Sequence, residues 1–319
     1  MKQNWIDAVK GFVIILVLWG HVDLPPVWHK LIYAFHVPFF FILSGFLYNP
    51  PKYREQGFVC FAMKRFKSYI VPFLVISAFF MCINMFFMVP TMTIPDILMS
   101  NHLNGFYRPL WFLTCFFVSH LLFYGAFKMK QWGTSICIIG YLVMAILLND
   151  LLRFKSYYVW HIDIAFLGTV CMFIGYQIKD KKLLDKQLSV WEMLILLVMW
   201  LVLACANKDI NLYSRHISNV FVLLIEATLI TYFILYLFRK YDITYSFLIT
   251  FGNKSLFVFC FNFFMNTLIA DVFHISKNQW ILFGIADLFC FYVVLQIINL
   301  LQKCYLKRKR FFYLVRRWD

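Results

Sequence analysis

The stretch Trp5-Ile6-Asp7-Ala8-Val9-Lys10-Gly11-Phe12-Val13-Ile14-Ile15-Leu16-Val17-Leu18-Trp19-Gly20-His21 opens the chain with an apolar run that nevertheless holds three ionisable side chains. As a helix it returns His21 to within about 20° of Lys10, roughly 16 Å further along the axis, with Asp7 beside the same stripe. Each charge inside a hydrocarbon-spanning helix costs roughly 2.5 to 3.5 kcal/mol even on the lenient insertion scale, so a chain that keeps them uses or pairs them. The run therefore predicts a first membrane span belonging to an enzyme or a transporter. It lacks a small-x-small cleavage site and runs into Asp23-Leu24-Pro25-Pro26, which reads as an uncleaved span rather than a signal peptide.

The remaining chain extends the same reading. Of 319 residues, 63% are hydrophobic, 21% aromatic and 14% charged, and the mean hydropathy is +0.75. That is more apolar surface than a soluble core of this size can hide. Windows long enough to cross ~30 Å of hydrocarbon recur at 6–23, 31–48, 69–89, 109–127, 132–151, 161–178, 190–206, 218–238, 247–270 and 279–302. The expected fold is all-α: a polytopic membrane protein of about ten helices in one bundle, with a transmembrane domain over 1–302 and a basic tail over 303–319. The nine cysteines are scattered singly and never form Cys-x-x-Cys, so they read as small buried hydrophobes.

Most of the 30 Lys and Arg gather on alternate connections: Lys52 to Lys67, Lys128 and Lys130, Lys179 to Lys186, Arg239 and Lys240, and Lys303 to Arg317. That alternation puts both termini in the cytoplasm. It also accounts for the net charge of +15 without nucleic acid, and makes anionic inner-leaflet lipid the partner of the tail.

Four groups of residues could carry chemistry. Lys10 lies in the inner third of span one and His21 at its outer end, while His36 in Phe35-His36-Val37-Pro38-Phe39-Phe40 enters span two from the outer side. A neutral imidazole accepts a proton from a hydroxyl near neutral pH, so His21 and His36 are candidate acid–base groups; each could equally bond a neighbouring helix. Lys10 could equally only pair with Asp7 one turn away, as a structural ion pair. The run Lys64-Arg65-Phe66-Lys67-Ser68 is either a positive-inside signal or a phosphate clamp. At the outer start of span four, Asn104, Arg108 and Trp111 could hold a sugar, although Trp there is also the usual interface anchor. Trp160-His161-Ile162-Asp163 at the outer start of span six reads in the same two ways, as an interface anchor or as a polar acceptor surface. Deep in span eight, Glu226 is expected to be neutral or to pair with a cation such as Lys10; the bland alternative is helix-to-helix glue. No metal cluster or Gly-rich phosphate loop is visible in the sequence.

These residues resemble acyltransferase family 3, membrane enzymes that O-acylate surface glycans, and especially its fucose 4-O-acetylase-like branch. The matches are Ile6-Asp7-x-x-Lys10-Gly11 with Gly20-His21, then Phe35-His36-Val37-Pro38-Phe39-Phe40 with Leu43-Ser44-Gly45-Phe46, then Trp111-Phe112-Leu113. Gly252-Asn253-Lys254-Ser255-Leu256 adds general support. Two departures stand out: Arg65-Phe66-Lys67-Ser68 replaces the family's Arg-x-x-Arg, and Asn262 stands where the ninth span often has a histidine. The resemblance implies a bacterial cytoplasmic-membrane enzyme. Acetyl-CoA would be the donor, its phosphates near Arg65, Lys67 and Lys10, and a glycan or lipid-linked saccharide would be the acceptor. His21 would act as general base or transient acyl carrier, and His36 would share that role. A transporter or flippase of lipid-linked glycan, in which the same charges line a path and no bond is made, is the alternative from another class.

Overall fold

Apolar runs uninterrupted by proline satisfy their backbone polar groups within helices, which hydrocarbon demands. The computed structural model describes residues 4–88, 91–100, 103–129, 131–151, 158–207, 210–276 and 278–315. Of the basic residues used above for orientation, Lys130, Arg316 and Arg317 lie outside them. In chain order the helices are α1 (Asn4–Gly20), α2 (Pro26–Tyr33), α3 (His36–Phe46), α4 (Pro50–Gln56), α5 (Phe58–Arg65), α6 (Val71–Phe86), α7 (Ile94–Met99), α8 (Trp111–Lys128), α9 (Gln131–Ile146), α10 (Ile162–Asp180), α11 (Val190–Ala206), α12 (Val220–Lys240), α13 (Ser246–Asn253), α14 (Ser255–Phe273) and α15 (Trp280–Val315). The protein is an all-α polytopic membrane protein.

Among the described residues, eight helical segments are long and apolar enough to cross a bilayer: Pro26–Phe46, Phe58–Phe86, Gly105–Lys128, Trp132–Asn149, Val159–Asp180, Val220–Lys240, Ser255–Phe273 and Trp280–Tyr305. The other two expected spans correspond to α1 and α11. Each has 17 residues, about 25 Å of helix against ~30 Å of hydrocarbon. The window at 247–270 is not one rod: it breaks at Asn253 and Lys254 into α13 and α14, and Lys254 Nζ donates to Gln302 Oε1 at 2.9 Å. At the far end no Pro or Gly stops the last helix, so α15 continues to Val315 through the segment expected to be a tail.

The chain divides into two compact units, one made of Met1–Asp23 with Ile243–Asp319 and the other of Leu24–Asp242. In the first unit α1 crosses α13 at a pair of glycines. A Cβ added to Gly11 would collide with the Leu248 carbonyl, and one added to Gly252 with the Asp7 carbonyl. Close backbone approach of this kind holds membrane helices together by dispersion, because lipid gives no hydrophobic drive between them. The same device joins α3 to α10 in the second unit, where Gly45 meets the Met172 carbonyl and Gly175 the Ile42 carbonyl.

A π-helical turn over Phe66–Ile70 links α5 to α6. Its cause is local. Pro72 has no N–H to give to the carbonyl four residues back, and the Val71 N–H reaches Phe66 O instead.

Candidate active site

In the first unit, Lys10 Nζ lies 2.6 Å from Asp7 Oδ1 one turn earlier, with 25% of the lysine side chain and 10% of the aspartate side chain exposed. The carboxylate in the first turn of α1 also faces the positive end of the helix dipole. Helix α1 ends at Gly20, and His21 sits in the following turn, where its N–H bonds Leu18 O at 3.1 Å. Lys10 and His21 are therefore roughly 16 Å apart along the chain axis, and no single small group bonds both. The His21 ring lies 4.9 Å from Phe263, and its carbonyl accepts from Asn266 Nδ2 at 3.4 Å. Asn262 and Asn266 are buried one turn apart on the same face of α14, and the Oδ1 of each has no hydrogen-bond partner among the described residues. Asn262 is thus a buried amide on the helix that contacts His21.

In the second unit, His36 is buried at the start of α3. Its Nδ1 lies 2.9 Å from Ile32 O. Because a carbonyl only accepts, Nδ1 carries the proton and Nε2 keeps its lone pair, the form a general base needs. Tyr33 packs edge-on against the ring at 4.7 Å, and His29 stacks on Tyr33 at 3.9 Å.

Of the three cations expected to act as a clamp, Lys64 and Lys67 are exposed, while Arg65 is half-buried. Arg65 Nη2 donates to Tyr53 Oη at 3.1 Å, and the guanidinium rests over the Phe61 ring at 5.1 Å. The three are therefore not equivalent: two charges meet solvent and one is aimed inward.

Two motifs of the second unit that were expected on the outer side come together. Trp111 packs on His161 with ring centroids 5.0 Å apart, Tyr213 lies 6.1 Å from Trp111 and 5.9 Å from His161, and the Arg108 guanidinium sits 4.9 Å over Tyr213. Arg108 and Asn104 are exposed, whereas Trp111 is 4% exposed, so the rim rather than the indole faces outward. Asp163 belongs to the motif expected to offer a polar acceptor surface. It is buried and held by Arg215 through two bonds, Nε to Oδ2 and Nη2 to Oδ1, the latter at 3.2 Å. A fork-to-carboxylate pair of this kind fixes geometry rather than offering a free carboxylate. Trp160 and His161 both adopt left-handed backbone, φ 55° and 51°, which costs non-glycine residues about 1–3 kcal/mol each and is tolerated where the surroundings hold it.

Glu226 is fully buried in α12, where its Oε1 accepts from Asn207 Nδ2 at 3.0 Å and Lys30 is the cation in electrostatic range. Lys10 takes Asp7 instead.

Sequence reasoning did not pair Ser44 with His120, whose Oγ and Nε2 lie 2.9 Å apart, nor Tyr213 and Arg215 with the outer motifs. Leu43-Ser44-Gly45 was visible, but its partner is 76 residues away. The comparison with curated proteins finds no match to the chain. A family model of the acyltransferase domain matches residues 3–300, and the chain therefore belongs to acyltransferase family 3.

Proposed function

We propose that this membrane acyltransferase moves an acetyl group from acetyl-CoA to a hydroxyl of a cell-surface or lipid-linked glycan, in the bacterial cytoplasmic membrane with both termini cytoplasmic. The observation that carries the reading is the half-buried His21 at the end of α1, its backbone carbonyl held by the buried Asn266 and its ring against Phe263, in a chain of this family. His21 takes the proton of the attacking hydroxyl or transiently carries the acyl group, and His36, with Nε2 free of its proton, shares the acid–base work. Arg65, Lys64 and Lys67 draw the phosphates of the donor, with Lys10 as a further cation. Arg108, Asn104 and Trp111 hold the saccharide, with Asp163 keeping that surface in shape through Arg215.

The test is His21→Ala in cells making the glycan. O-acetylation read by mass spectrometry is expected to vanish while the protein stays in the membrane at normal abundance; retained acetylation rejects the role. Transfer or hydrolysis of radiolabelled acetyl-CoA by the purified chain separates the enzyme from a flippase, which would leave the thioester intact.

A further inference from the structure

Serine and threonine hydroxyls inside helices ordinarily return their proton to the carbonyl four residues back. In this protein Ser68 bonds Lys64 O at 2.9 Å, Ser119 Cys115 O at 3.0 Å, Thr169 Ala165 O at 2.7 Å, Thr250 Ser246 O at 2.9 Å and Thr267 Phe263 O at 3.1 Å. Ser44 instead turns across to α8, where its Oγ lies 2.9 Å from His120 Nε2.

His120 is itself oriented. Its Nδ1 is 2.7 Å from Phe116 O, so that nitrogen holds the ring proton and Nε2 presents a lone pair to the serine hydroxyl. Phe116 packs edge-on to the imidazole at 4.6 Å, and Tyr69, carried on the π-helical turn, covers it at 5.3 Å. His120 is 1% exposed, whereas Ser44 is partly exposed, so the serine is the residue of the pair nearer a surface. Arg65 lies within electrostatic range of the ring. Ser44 sits near the end of α3 that runs into the basic helices α4 and α5. A hydroxyl, a base within hydrogen-bond reach and a third group that fixes the base form the general pattern of an activated nucleophile.

We propose that Ser44 is a nucleophile and His120 its general base, and that the acyl group passes through an ester on Ser44 Oγ; this rests on the acyltransferase reading above. His120 Nε2 takes the Oγ proton as Oγ attacks the thioester carbonyl. The C–S bond then breaks, and the leaving thiolate takes that proton from the imidazolium. In the second half His120 Nε2 takes the proton of the acceptor hydroxyl as that oxygen attacks the ester carbonyl. The C–Oγ bond breaks, and Oγ takes that proton back from the imidazolium.

The experiment incubates purified full-length protein with acetyl-[14C]CoA without acceptor, quenches in acid and locates label by peptide mass spectrometry, alongside acetyl-CoA consumption. One acetyl group on Ser44 is expected in the wild type and none in Ser44→Ala. Ser44→Cys is expected to carry a thioester that neutral hydroxylamine releases faster than the serine ester. His120→Asn, whose side-chain amide keeps a donor toward Phe116 O, is expected to label roughly 10²–10⁴-fold more slowly at unaltered yield and monodispersity. Acetyl-CoA consumption by a wild type that never carries label on Ser44 overturns the relay and leaves the acyltransferase reading standing. Neither consumption nor label overturns both.

Discussion

Replacing Gly252 or Gly11 with alanine tests the seam that positions α1. The added Cβ at residue 252 falls on the Asp7 carbonyl and 2.9 Å from Gly11 N, and at residue 11 it lies 2.7 Å from the Leu248 carbonyl carbon, where ordinary contact begins near 3.4 Å. The obstacle in each case is backbone, which no rotamer change relieves. The two helices must part by on the order of 1 Å, giving up dispersion along the crossing. Overpacking of this kind costs about 1–3 kcal/mol, against about 0.5–1 kcal/mol gained by replacing glycine with alanine in a helix, so each single variant should lose about 1–2 kcal/mol. Both methyl groups act on one crossing. Once the helices have parted for the first, the second costs little, and the double variant should fall short of the sum by about 1 kcal/mol. Gly125→Ala and Gly140→Ala are the controls, because nothing lies within 4 Å of a Cβ at either place and only the propensity gain remains. The assay is the midpoint of thermal unfolding in detergent by fluorescence-detected size exclusion, where 1 kcal/mol is worth about 2–4 °C in chains somewhat smaller than this one. Drops of about 2–4 °C are expected for the seam and none for the controls. Seam variants that track the controls, or a strictly additive double, would refute the reasoning.

Three further outcomes are expected. Asp163→Asn leaves the Arg215 guanidinium in a mostly buried site without its counter-charge, and the loss should reach about 3–5 kcal/mol in the same thermal assay; a drop below one degree would mean the pair is dispensable. His36→Asn puts a side-chain amide near the former Nδ1 and keeps the bond to Ile32 O, so the protein should fold while acetyl transfer falls roughly 10²-fold or more; full activity would make His36 a purely structural group. Lys64→Gln with Lys67→Gln, both solvent-facing, should raise KM for acetyl-CoA a few-fold at low ionic strength with kcat unchanged. The difference should fade as salt approaches ~1 M, where the Debye length is about 3 Å. Equal KM at low salt would remove the exposed lysines from the donor site.

The helical, membrane-spanning architecture was legible because long apolar runs admit few other structures in hydrocarbon. Gly11 and Gly252 were visible as motif residues, but that they stack on one crossing was not, since a glycine says only that something comes close. The break at Asn253 and Lys254 had a polar signal, Gly-Asn-Lys inside an apolar window, that hydropathy averaged away. The Ser44–His120 and Asp163–Arg215 pairs were out of reach, because they join residues 76 and 52 positions apart and depend on which helix faces meet. The left-handed Trp160-His161 pair carries no glycine or asparagine to announce it.

The first compact unit takes its opening helix from one terminus and its remaining helices from the other. During synthesis α1, with its Lys10–Asp7 pair and its bare Gly11 groove, enters the bilayer long before Leu248 and Gly252 exist. At ~5–20 residues per second the wait is on the order of ten to fifty seconds. Through that interval the early helix must keep its charged pair without its eventual mate, so the short spacing between Asp7 and Lys10 serves the nascent chain as well as the finished one. Truncation anywhere before Ile243 would leave α1 inserted but orphaned, a ready target for membrane quality control.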